Sequence, residues 1–224
     1  MEDLTYVPHW VLNVGNYKIT LNSVTLLTTW GIMAVLVVFS LMLAKRIRTV
    51  PGGWQTISEV LIDGFYGMVI DALGPEIGPK YFPMICIMFI FLVLCNWIGI
   101  LPYMSEPTKD INTPLGLGIM GFFIAHGTAI KVKGIKQYIK EYFQPIFFMM
   151  PLNVVGEIAK VISISFRLFG NIMGGSIIIL VVSHLVYQLI LPPFLYGFFG
   201  LFVGTVQAFV FTMLTMVYIS VQIR

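Results

Sequence analysis

The sequence predicts an all-α fold: a polytopic membrane bundle of about five helices, the last two long, tilted and paired as a hairpin, with a cytoplasmic amphipathic helix beside them. Three observations predict it. Of 224 residues 58% are hydrophobic and 10% charged, with a mean hydropathy of +0.93, which takes the chain out of the soluble class. Five stretches are long and apolar enough for a hydrocarbon core that demands about 20 residues of helix. Charged side chains lie between those stretches, apart from a small group inside the fourth.

The first 23 residues hold Glu2 and Asp3 in front of Tyr6, Trp10 and Tyr17. They lack the basic start and apolar run of a signal peptide and the arginine-rich composition of a transit peptide, and read as an external segment of a bacterial or organelle-encoded product. Span one, 24–43, is closed by Lys45, Arg46 and Arg48. Residues 54–73 set Ile57, Val60, Leu61, Phe65 and Met68 against Glu59, Asp63 and Asp71, the pattern of an interfacial amphipathic helix. Span two, 82–101, stops at Pro102, and span three, 115–130, is shorter. Lys131, Lys133, Lys136 and Lys140 follow, and 133–142 reads as a second amphipathic piece. From 143 to 223 the chain is apolar apart from a handful of polar residues, opened by Pro151 and interrupted by Pro192 and Pro193, which gives two long helices, 151–185 and 193–220. Each exceeds what a perpendicular crossing needs, so both tilt.

The two basic loops follow spans one and three, which places the N-terminus and the 106–113 loop outside and Arg224 in the cytoplasm. The lipid bilayer is the first partner. Thirteen Lys and Arg against ten Asp and Glu leave a net charge of +3, too small and scattered for a nucleic-acid footprint. Cys86 and Cys95 fall on opposite faces of span two, so no disulfide is expected between them.

Glu157, Lys160 and Arg167 lie inside the fourth span, with Asn153 and Asn171 flanking them. Ionisable groups at membrane depth cost about 2.5–3.5 kcal/mol each and need partners or water. At about 100° per residue these side chains share one stripe less than a quarter turn wide. Glu157 and Lys160, at i and i+3, can neutralise each other as a structural pair. Arg167 keeps its proton under all ordinary conditions, and the nearest acid is ten residues away. The other spans contain no carboxylate, so its partner is expected on another polypeptide, where a permanent cation releases whatever ion that carboxylate carries. On the last helix Gln207, Phe211, Thr215 and Tyr218 fall within about 80° of one another. Gln207 is placed to hydrogen-bond across to the fourth helix or to line the same wet path, and Gly197, Gly200 and Gly204 form a small-residue face for close packing.

The string Ser165-Phe166-Arg167-Leu168-Phe169-Gly170-Asn171 resembles the signature of the a-subunit family of F-type ATP synthases, the membrane stators against which a ring of c subunits turns. Gln207-Ala208-Phe209-Val210-Phe211, with Leu214-Thr215 and Val217-Tyr218, is similar to that family's last-helix motif. Residues 96–102 and Pro107-Thr108-Lys109-Asp110-Ile111-Asn112-Thr113 are similar to its second-span exit and external loop, so the resemblance covers residue 96 to the C-terminus. It implies a bundle curved around the c-ring, peripheral-stalk b subunits and the rest of the synthase as partners, a bacterial inner membrane, and two offset half-channels carrying H+ or Na+. By the same resemblance Arg167 is the essential arginine, Gln207 and Asn171 are motif amides, Glu157 and Lys160 match positions often acidic and basic, and Asp110 matches the acid of the external loop. With no Walker-type loop and no metal-ligand cluster, the chain is expected to be neither an enzyme on its own nor a cofactor binder.

Two departures bear on the coupling ion. Many proton-driven members carry a titratable residue where this chain has Ser176, and often where it has Gly200; His184 is no obvious substitute. A sodium path needs only polar oxygens and water, available from Ser176, Asn171 and Gln207 in a cleft widened by Gly174 and Gly175, so the residues favour Na+ narrowly, with H+ as the alternative. Two other classes compete. A secondary transporter would show internal repeats and an acid of its own, neither of which is evident. A scaffold subunit has no need of a lone arginine at mid-membrane.

Overall fold

The computed structural model describes residues 9–14, 17–45, 52–101, 104–143, 148–185 and 191–223. Arg46, Arg48, Pro102 and Arg224 lie outside the described residues. Among the described residues five helices are long and apolar enough to cross a membrane: Ser23–Met42, Gly78–Ile100, Asn112–Lys133, Met150–Leu185 and Pro193–Ile223. The chain is an all-α membrane bundle with one short β element among the described residues.

That element is an antiparallel ribbon of β1 (His9–Val14) and β2 (Tyr17–Asn22), with Val14 opposite Tyr17. β-Branched and aromatic residues favour it. The ribbon leads directly into α1 (Ser23–Ala44), where Asn22 Oδ1 accepts from Val24 N at 3.1 Å and caps the first turn.

Helix α2 (Gly53–Leu73) leaves Ile57, Val60 and Leu61 exposed and buries Val69 and Leu73 against Ile85 of α3 (Gly78–Trp97). Gly74, with φ of 83°, ends it and donates to Ile70 O at 2.8 Å. Helix α3 starts four residues before the span read from hydropathy and continues as one 3-10 turn to Ile100. Helix α4 (Asn112–Lys133) is a full 22 residues rather than a short span. Its polar ends escape a hydropathy criterion but still make helical backbone bonds. Gly134, with φ of 82°, turns the chain into α5 (Ile135–Tyr142), where Lys133 Nζ meets Glu141 Oε2 at 2.6 Å.

Helix α6 (Met149–Leu185) has 37 residues. At 1.5 Å per residue that is about 55 Å, against a hydrocarbon core of about 30 Å. The return limb is not a single α-helix: α7 (Leu191–Tyr196) passes through a π segment, Gly197–Val203, before α8 (Gly204–Ile223). π segments inside helices are frequent at functional sites.

The main core joins Met88 and Leu92 of α3, Ile164, Leu168 and Ile172 of α6, and Ala208 and Phe211 of α8. Close approach of α4 depends on glycine. A methyl on Gly118 would stand 2.5 Å from Ser165 Oγ of α6, and one on Gly121 would stand 3.0 Å from Thr215 Cγ2 of α8. The glycine face thus extends beyond the last helix to which the sequence reading confines it. The start of α1 meets the turn at Pro107–Lys109 at one end of the bundle, while α2 meets the end of α8 at the other, where Ser220 Oγ donates to Ala72 O at 2.6 Å.

Candidate ion-translocation site

Helix α6 carries the polar stripe, and the structure divides it into three parts. Near its N-terminus Asn153 Nδ2 donates to Tyr142 O at 3.2 Å, and Lys160 Nζ donates to Glu157 Oε1 at 2.6 Å, with Lys160 also 5.8 Å from the centre of the Tyr218 ring. His126 of α4, which sequence reasoning missed, brings Nε2 to 4.0 Å from Glu157 Oε2 and shares a 2.5 Å hydrogen bond between Nδ1 and Tyr138 Oη. Burial first, and then the hydrogen bond with Tyr142, push the Tyr138 phenol up, so it stays neutral. Phe122, Tyr138, Tyr142 and Glu157 line an otherwise apolar cavity of about 590 Å³ here.

Two turns nearer the C-terminus the picture changes. Arg167 is exposed, and no ion pair or side-chain hydrogen bond reaches it among the described residues. Four residues on, Asn171 Nδ2 donates to Gln207 Oε1 of α8 at 2.7 Å. Gln207 is 4% exposed, and its Nε2 has no hydrogen-bond partner among the described residues. An amide donor so placed costs about 1–3 kcal/mol if left dry, a penalty that water or an incoming acceptor offsets.

Beyond Asn171 a small polar cavity opens, lined by Asn171 and Ser176 of α6, Asn96 and Gly99 of the α3 end, Tyr196 and Gly200 of the return limb, and Glu106 of the α3–α4 loop. Its room, about 10 Å³, suits a single water. Ser176 keeps its hydroxyl on Ile172 O at 3.0 Å. Gly175 does not widen the cleft, contrary to the sequence reading: the Phe199 ring lies over it, and a methyl there would stand 2.8 Å from Phe199 Cδ1. Gly174 has open space beside it. Asp110 stands apart from the cavity and accepts from Asn112 N and Nδ2 at 3.1 and 2.8 Å, fastening the start of α4. Among the described residues no group of three or more His, Cys, Asp and Glu is arranged to hold a metal.

The chain that sets an arginine, unpaired among the described residues, one turn from an interhelical amide pair matches a known family over most of its length. Residues 26–220 match the ATP synthase A chain family. The chain belongs to that family. It is 33% identical over 196 residues to ATP synthase subunit a of Moorella thermoacetica, covering 88% of each chain. Against ATP synthase subunit a of Geotalea uraniireducens it is 37% identical, covering 86% of this chain and 84% of that one. Against that of Desulforamulus reducens it is 36% identical over 204 residues. Membership makes this an ion-conducting, non-catalytic subunit of the synthase membrane sector, and removes the transporter and scaffold readings. Arg167 thus lies on the exposed face of α6, and Gln207 of the last helix lies one hydrogen bond from Asn171.

His126, Asn96, Tyr196 and Glu106 are the residues around the path that sequence reasoning did not single out. Asn96 alone had a signal, an amide inside an apolar span. It donates to Gly204 O at 2.8 Å and accepts from Thr108 Oγ1 at 2.8 Å, tying loop, α3 and α8 together.

Proposed function

We propose that Arg167 faces the carboxylate of a passing c-ring subunit and separates two half-channels, so that a cation enters by one, rides the ring and leaves by the other. The observation that carries this is a fixed cation left exposed and without an acid among the described residues, between two stretches of the same stripe whose polar groups are satisfied inside the chain. Desolvated against the ring, a guanidinium that cannot lose its proton stabilises the empty, charged carboxylate and so favours release of its ion. The unpartnered Gln207 Nε2 adds a neutral donor beside it. The polar cavity from Glu106 to Asn171 belongs to one half-channel, and the other opens on the far side of Arg167. Peripheral-stalk b subunits and the rest of the synthase complete the assembly in a bacterial inner membrane. The N-terminus and the loop holding Lys109 are external, and α2 and α5 are cytoplasmic.

Arg167→Ala in the whole complex abolishes ATP-driven transport into reconstituted vesicles while the complex still assembles; near-normal pumping by that variant would sink the reading. The same vesicles identify the cation. The oxygens of Asn171 and Ser176 suit Na+, whereas the argument against H+ from an absence of titratable groups fails once Glu106 lines the cavity. Uptake of 22Na+ that persists with a protonophore assigns Na+; uptake abolished by it, with hydrolysis indifferent to Na+, assigns H+. For orientation, a single cysteine at position 109 reacts with an impermeant reagent from outside and one at 136 from inside. Reversed labelling refutes the topology.

A further inference from the structure

We infer that Glu106 is the cation-accepting carboxylate of the access path on the side of the α3–α4 loop, a role that rests on the half-channel reading above. Glu106 belongs to a loop, yet it is only 9% exposed and its carboxylate lies among membrane helices, lining the cavity with Asn96, Asn171, Ser176 and Tyr196. Glycine makes this possible. The Glu106 side chain lies across Gly99, where any Cβ would collide with it. Opposite, Gly200 presents no side chain to the cavity, since a methyl there would stand 2.7 Å from Ile100 Cγ1. The loop is held in place by the Thr108–Asn96–Gly204 hydrogen bonds.

Of the groups lining the cavity, only the Glu106 carboxylate can carry a full negative charge for an entering cation to meet. Tyr196 is the other titratable group in the lining, and Lys109 on the same loop pairs with Glu106 in a salt bridge. Burying an ion pair costs more than leaving both charges in water, so a pair in this position is weak as mere glue. The Lys109 side chain is 30% exposed against 10% for Glu106, so the ammonium can withdraw to solvent while the carboxylate stays. In the exchange, an entering cation binds the carboxylate as Lys109 leaves. When the cation passes inward past Asn171, Lys109 returns. The route then meets Gln207 and Arg167 within about one turn of α6.

The test uses the whole complex in vesicles and follows ATP synthesis driven by an imposed ion gradient. Glu106→Gln, close to isosteric, lowers the rate at least tenfold with assembly unchanged. Ser176→Glu added to it sets a carboxylate on the same cavity and recovers the rate to within about threefold of wild type, which restoring a loop clasp could not do. Lys109→Met, which keeps the carboxylate and loses only the returning ammonium, lowers it less than Glu106→Gln does. Glu106→Gln at wild-type rate, or a Lys109→Met loss equal to that of Glu106→Gln with no rescue by Ser176→Glu, overturns the proposal. Arg167→Ala run in parallel separates the two ideas: if it is inactive while Glu106→Gln is normal, only the Glu106 role falls, whereas an active Arg167→Ala removes the half-channel reading itself. Repeating the wild-type and Glu106→Gln measurements under a Na+ gradient and under a proton gradient shows which cation the carboxylate accepts.

Discussion

Glu157 and Arg167 share one face of one helix, ten residues apart, and the molecule treats them oppositely. Around Glu157 the charge finds a counterpart in the chain, Lys160 at 2.6 Å, with the His126 ring reaching in from α4. Around Arg167 the chain supplies amides but, among the described residues, no acid. A helix that needed charge only to hold its neighbours would repeat the first arrangement throughout. The difference teaches that intramembrane charge is informative through what is withheld from it: a neutralised pair accounts for itself, whereas an unneutralised cation leaves a cost that water or a further partner must offset.

The sharpest way to break the comparison is Arg167→Lys, which keeps the charge and removes the planar fork. Coupled transport falls by a hundredfold or more, on the order of the 3 kcal/mol expected when a bidentate partner is lost. Substantial activity in that variant would mean that any positive charge serves. A smaller effect is expected from Asn171→Leu, which strips Gln207 Oε1 of its donor and leaves a buried amide unsatisfied at both ends. At about 1–3 kcal/mol the rate of ATP-driven transport drops on the order of tenfold, and a normal rate would show that the amide pair is incidental. The smallest effects belong to the neutralised pair. Glu157→Gln and Lys160→Ala each change transport less than threefold, because Lys160 is 39% exposed on its side chain and such pairs are worth about 0–1 kcal/mol. A double-mutant cycle with a coupling well above that range would move Glu157 from architecture into the ion path.

The spans and their order were legible in the sequence, since a hydrocarbon core imposes a length and a polarity that any window of residues reports. The polar stripe was legible too, because 3.6 residues per turn is a local property of α6. Helix ends were less so: α4 runs from Asn112 to Lys133, past the apolar stretch, because helical hydrogen bonds continue into water where hydropathy falls. The β1–β2 ribbon and the π segment at Gly197–Val203 were not read at all, being too short or too irregular for a periodicity argument.

By itself, then, the sequence determined that this chain lies in a membrane, which helix carries the charge, and that Arg167 has no nearby acid along the chain, all facts of composition and of contacts within a few residues. Tertiary structure alone decided which amide Gln207 meets, that Phe199 covers Gly175, that His126 reaches Glu157 across 31 positions of sequence, and that a loop glutamate turns inward over Gly99 to stand beside Ser176. Those outcomes depend on how closely one helix approaches another, which is set by side-chain volume at crossings such as Gly118 against Ser165 and Gly204 against Asn96. No periodicity along a single helix contains that distance.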